Sequence, residues 1–381
     1  MINFKFDEKS IKDKISYAEM LLNSNNLSLV ERERVQYSLI AYYDILDSID
    51  NVYNSTIQPF LDKITKGKYS ANKDYNRHYK IGGIVLKKET YGVLSKEYLQ
   101  VLVKMASMIQ KPQVNATKFG SMEFTNENLR NIAISFYRNL DSELGQVASS
   151  IIFTPGLINV SDYRREKRFD GTTWYDYINN VPYVNVSRTG TIVDAQAFCH
   201  ELMHASDFVM NPKYYDSNYY GFHETPTYCV DLLLADFMES NGIDVNEVNN
   251  IRSERINYIC GLAYQSLFQI RLKIGRETFK SGDIDVVYNA LDEDILKNLL
   301  EVQSGIMAIG LYKQIYQNKE YGVNNLKGFM KSLISKSEVP DFSKLGLDYE
   351  TLMTICENIK AHGYDFSNYS LENEISQGIT H

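Results

Sequence analysis

Proline is the residue a helix interior tolerates least, and this chain of 381 residues holds only seven. Long stretches between them repeat apolar side chains at helical spacing, so the chain is predicted to be mainly α. ISYAEMLLNSNN, from Ile15 to Asn26, carries the pattern and ends in a polar stop. A second helix is predicted from Ser28 to about residue 66. Ser28 is its N-cap, and Glu31 completes a capping box. Residues 67–92 are polar and tyrosine-rich around Gly82-Gly83, which predicts a loop or a short hairpin. Helical patterns resume over 94–110 and 126–149, the latter opening at Asn126 or Asn128.

From 150 to 190 the pattern changes. IIFTPGLINV and VPYVNVS are β-rich, with the charged SDYRREKRFDGTTWYDY between them. They predict a small sheet, with PYVNVS as a strand beside the next helix. That helix is predicted to start at Asp194, as its cap, and to end before Asn211-Pro212. Another is predicted from Thr225-Pro226, with proline first, to Asn241-Gly242. Helices are also predicted at about 246–273, 284–317, 323–335 and 347–361. No repeat or linker divides the chain. The expected organisation is a helical region over 1–125 packed on a second helical part over 126–381.

Composition narrows the partners. Hydrophobic residues make up 44% and charged residues 23%, as in an ordinary globular protein. A net charge of −8 argues against a nucleic-acid partner. The N-terminal residues have no apolar core of a secretory leader, and no run of about twenty apolar residues appears, so no membrane association is expected. Cys199, Cys229, Cys260 and Cys356 are scattered without a CxxC pair. That pattern predicts reduced thiols and a cytoplasmic location.

AFCHELMHASD, Ala197 to Asp207, is the stretch with chemistry in it. His200 and His204 are four apart, so one helix face presents both imidazoles to one ion. Glu201, one step round, reaches a water at that ion without being a ligand. The plainer reading is two histidines packed on a helix. A catalytic zinc needs three protein ligands and an open position. Glu224, in the opening of ETPTYCVDLLLADFM, is the third candidate, and it has a plainer reading as a first-turn acid favoured by the helix dipole. Asp231, seven residues on and on the same face, is placed to hold a liganding histidine by its second nitrogen. Its plainer reading is a solvated helix position. PYVNVS is a candidate edge for an extended peptide. Arg164, Arg165 and Arg168 read as a solvated loop before they read as a carboxylate site. Trp174 reads as a packing anchor. His78, His362 and His381 have no partner motif.

Four segments, in order, carry a resemblance: VPYVNVSRTGTIVDAQAFCHELMHASD, ETPTYCVDLLLADFM, KNLLEVQSGIMAIGLYKQIYQNKEYGVNNLKGFMKSLISKS and GLDYETLMTICENI. Over roughly residues 130–365 the chain resembles the thimet oligopeptidase and oligoendopeptidase F family of HExxH zinc metallopeptidases, as a short, divergent member. The resemblance implies a mainly α, zincin-like fold with a small sheet beside the active-site helix, its catalytic domain over 126–381. It implies one Zn2+ per chain held by His200, His204 and Glu224, with Glu201 as general base and Asp231 behind the ligands. It implies an oligopeptidase, a hydrolase that cuts peptide bonds in short peptides. The alternative is a zinc-containing pseudoenzyme or peptide-binding scaffold without turnover. This chain has Met203 where the family usually has glycine before the second histidine. It has Ile306, Gly310 and Leu311 where relatives carry tyrosines, one of which is held to stabilise the oxyanion. Tyr312, Tyr219, Tyr220, Tyr228 and His223 are the candidates to replace it.

Overall fold

A computed structural model of the chain describes residues 6–24, 26–50, 96–112, 119–162, 171–211, 220–333 and 341–369. The end of the second predicted helix, Gly82-Gly83, His78, the three loop arginines, Tyr219 and His381 lie outside them. The architecture is mainly helical with one small sheet. The chain forms two compact units. One comprises Met1–Glu89 and Gly120–Asn218, and the other Thr90–Phe119 and Tyr219–His381. No helix among the described residues is long and apolar enough to cross a membrane.

The first unit opens with α1 (Glu8–Leu22) and α2 (Leu29–Asp50). The Ser28 amide donates to Glu31 Oε2 at 2.8 Å, and the Glu31 amide donates back to Ser28 Oγ at 3.3 Å. This is the reciprocal box the sequence called for. The predicted single helix over 126–149 is instead two, α4 (Asn126–Leu140) and α5 (Ser142–Phe153); α3 belongs to the other unit. Asp141 makes the break. Its backbone is extended, and its carboxylate accepts from the Glu143 and Leu144 amides at 3.0 Å, so it caps the next helix rather than continuing the last. The start of IIFTPGLINV therefore finishes α5, and only its end is strand.

Three strands follow: β1 (Ile158–Asp162), β2 (Gly171–Asp176) and β3 (Val181–Arg188), in the order β1-β3-β2. β1 pairs parallel with β3, and β2 pairs antiparallel with it. Two expectations are corrected here. GTTWYD is a strand, not part of a separator. PYVNVS is the central strand, paired on both sides, so it has no edge to offer a peptide. Pro182 reads as an edge residue because it lacks a ladder donor. It is tolerated because β1 starts opposite Val184, so at Pro182 the strand has only β2 beside it.

Alternation along β2 sorts its side chains. Trp174 and Asp176 face the N-terminal helices: Phe6, ahead of α1, packs edge-on against Trp174 and Tyr183, and Lys14 of α1 pairs with Asp176 at 3.1 Å. Gly171, Thr173 and Tyr175 face the helix that follows the sheet, α6 (Val193–Met210). Asp194 lies inside the first turn of α6 and does not cap it. Its carboxylate turns back and accepts from the Thr189 amide at 2.6 Å and the Gly190 amide at 3.1 Å, stapling the β3–α6 connection.

The second unit contains α3 (Lys96–Ile109), a turn of 3-10 helix at Tyr220–His223, α7 (Glu224–Ser240) and α8 (Val245–Ile274). Short α9 (Arg276–Ser281) and α10 (Ile284–Ala290) lead to α11 (Glu293–Gln317), α12 (Lys319–Ser332) and α13 (Tyr349–His362). The predicted helix over 284–317 breaks at Asp292, whose side chain caps Ile295 N at 2.8 Å. Helix α11 is the core of this unit, with α3, α7, α8, α12 and α13 packed around it. Ile306 and Leu311 are fully buried, and a Cβ on Gly310 would lie 2.6 Å from Leu347 Cδ2. Ile306, Gly310 and Leu311 are thus all core positions.

Candidate active site

Helix α6 is buried at every residue from Asp194 to Phe208 except His200 and His204, which are half-buried. The two imidazoles lie with ring centroids 5.1 Å apart, as a four-residue spacing requires. Around them the helix is fixed on several sides. The Tyr137 hydroxyl of α4 donates to the carbonyl of Cys199 at 2.6 Å. Met203 is fully buried, so its bulk is absorbed by the core.

Glu201, one step round the helix from His200, is buried against β2. Thr173 Oγ1 lies 2.7 Å from Glu201 Oε2 and 2.9 Å from the Glu201 carbonyl oxygen. Gly171, two residues earlier on the same strand face, packs so closely that a Cβ there would lie 2.8 Å from Glu201 Oε1 and closer still to Cγ. Further along, Tyr175 stacks on Phe208 at 4.7 Å and 26°, which fixes strand against helix. At the end of α6, Asn211 Nδ2 donates to Asp207 at 2.6 Å. Burial pushes the Asp207 carboxyl up to about 7, against the opposing pull of Asn211 and His204.

In the second unit, Glu224 is the first residue of α7 and is half-buried, with buried Thr225 to Leu232 behind it. The Thr227 hydroxyl lies 3.0 Å from Glu224 Oε2. His223, buried, is the last residue of the 3-10 turn that runs into the helix, and Tyr220 is the first. Asp231 is fully buried, not solvated, and pairs with Arg255 of α8. Arg255 also lies 4.0 Å over the Tyr228 ring. Burial alone would lower the guanidinium's pKa, but Asp231, Tyr228 and Glu224 reverse that and raise it. The hydroxyls of Tyr228 and Tyr258 both donate to Glu301 Oε1, at 2.6 and 2.7 Å. Burial, then the charges of Glu224 and Glu301, hold the Tyr228 phenol far above its ordinary pKa, so it stays protonated. Tyr312 donates to Asp236 at 2.8 Å. Asp236 lies twelve positions beyond Glu224, about 18 Å along an α-helix.

Sequence reading missed Thr173, Gly171, Arg255 and Glu301. Two of them left a signal. A glycine inside a strand pattern marks a close approach. An arginine in the stripe Ile251, Ile259, Ala263 and Leu267, all buried, marks a charge carried into the core.

No family model matches the sequence, and no curated protein does. Among solved structures, the chain is similar to that of a Bacillus anthracis str. Ames protein described as an oligoendopeptidase F. The two are 13% identical over 93% of this chain and 73% of that one, with a TM-score of 0.49. It is also similar to PZ peptidase A with inhibitor 2, at 14% identity over 91% of this chain and 70% of that one, TM-score 0.46. These values carry no residue role across.

Proposed function

We propose that the protein is a zinc-dependent endopeptidase that hydrolyses peptide bonds in short peptides. One observation carries this reading: His200 and His204 present their imidazoles from one half-buried face of α6, ring centroids 5.1 Å apart, and a half-buried carboxylate, Glu224, opens α7. Two imidazoles and a carboxylate are a donor set that suits zinc and leaves a coordination position open for chemistry. The ordered sequence resemblance supports the same assignment. When bound, zinc supplies Lewis acidity toward a peptide carbonyl and a water molecule.

The chain's own residues do the rest. Glu201 takes the proton of the attacking water and passes it to the leaving amine. It is suited to this because its carboxylate is next to the histidine face and is held by β2. Among the described residues, β2 pairs only with β3, so its outer edge is where an extended peptide adds as a further strand.

Metal analysis of purified protein is expected to give about one zinc per chain, the number one three-ligand set holds. A quenched-peptide library is expected to be cleaved by wild type and not by Glu201→Gln. Stoichiometric zinc with no member cleaved would move the chain to peptide binding without turnover. Absence of zinc, with stability unchanged by a chelator, would remove the metal reading.

A further inference from the structure

The Thr173 hydroxyl is aimed at the buried carboxylate of Glu201, and the peptidase reading gives that hydroxyl no role. We propose that Thr173 is a positioning residue that fixes the Glu201 carboxylate in the orientation its proton transfers need. The proposal rests on Glu201 being the base, as above, and deepens that reading.

Thr173 Oγ1 has two acceptors within reach on Glu201 but only one proton. The backbone carbonyl of a mid-helix residue already accepts an amide four residues on. The carboxylate oxygen is nearer, at 2.7 Å against 2.9 Å, and is the charged acceptor, so it takes the proton. Threonine is stiff at χ1, so the direction of the hydroxyl is set by the strand backbone. That backbone is set in turn. β2 is tied to β3 from Gly171 to Asp176, and Tyr175 is stacked on Phe208 of the same helix that carries Glu201. Gly171 closes the other side: its bare Cα backs Oε1 while Thr173 holds Oε2. Both sides of the carboxylate are therefore set by β2, Oε2 by a hydrogen bond and Oε1 by close packing. Glu201 is only 7% exposed, so solvent does little to orient it instead.

The test uses full-length, zinc-loaded protein with Thr173→Val, which keeps the shape and removes the hydroxyl, and Thr173→Ser, which keeps the hydroxyl. Thr173→Val is expected to lower kcat by roughly 10–100-fold, part of what a positioned base contributes. KM is expected to stay within about twofold, because ground-state binding is untouched. Zinc content is expected to stay at one per chain, and Thr173→Ser to restore most of kcat. Crystal structures of the two variants add a readout independent of turnover: Glu201 is turned in the valine protein and native-like in the serine protein. Wild-type kcat in Thr173→Val, serine behaving like valine, or zinc lost along with activity would each overturn the proposal. If wild type cleaves no peptide, the peptidase reading fails, and the Glu201 side chain in the two crystal structures decides Thr173 alone: moved supports it, unmoved overturns it.

Discussion

At the residue scale, small differences in packing decide what a carboxylate does. Glu201 depends on a hydrogen atom at Gly171 in place of a methyl group. Gly171→Ala is expected to cost about 1–3 kcal/mol, as over-packing generally does, read as a lower denaturant midpoint. Asp44 shows the other side of burial. Desolvation first, then the charge of Asp47, push its carboxyl up to about 7, against a hydrogen bond from Trp174. A folded-state pKa above the unfolded one means the native state holds the proton more tightly. Stability is therefore full below about pH 4 and falls as pH rises through about 7. Asp44→Asn is expected to match wild type near pH 4 and to have the higher Tm at pH 8, which a thermal melt series will show. Sequence gave good access to residues whose role follows from spacing, such as His200 with His204. It gave none to Thr173, whose partner is 28 positions away and whose role exists only once strand and helix are packed.

Helices and strands were legible wherever capping or period was strong, as at Ser28 with Glu31. The reading failed where one polar residue changed the path. Leu140-Asp141-Ser142 keeps an apolar period across a break that is made by backbone conformation, and PYVNVS, read as an edge, is the strand paired on both sides. Element contacts give two further predictions. Arg255 joins α8 to α7 through the buried Asp231, so Arg255→Met is expected to destabilise by about 3–5 kcal/mol, the cost of breaking a buried pair from one side. The double variant with Asp231→Leu is expected to recover much of that loss in urea unfolding. Gly322 of α12 faces the backbone of Gln314 and Ile315 on α11, and a backbone does not step aside as a side chain does. Gly322→Ala is expected to lower Tm clearly, while Gly328→Ala, whose nearest neighbour is the flexible end of Leu345 at 3.2 Å, is expected to change it little.

For the whole molecule, the mainly helical class was legible from scarce proline and long periodic segments. The path of the chain was not, because period does not say which helix packs on which. Helix α3 buries Leu99, Leu102, Met105, Ala106 and Ile109 in the second unit, although the residues that follow it, from Gly120, belong to the first. Each large apolar side chain is worth about 1.5–3 kcal/mol when fully buried. A fragment of residues 219–381 is therefore expected to melt at lower temperature than the same unit in the intact chain and to bind a hydrophobic dye. A synthetic peptide of residues 96–112 is expected to reverse both.

The same path puts a delay into biosynthesis. At about 5–20 residues per second, the ribosome needs roughly 13–50 seconds to go from the end of α3 to the end of α13, the last helix packed on it. For that time the apolar stripe of α3 is outside the tunnel while much of its eventual cover is still to be made. A nascent chain with that exposure is a substrate for a holdase, and its yield in a cell depends on how fast Val245 to His362 follow, not only on how stable the finished protein is.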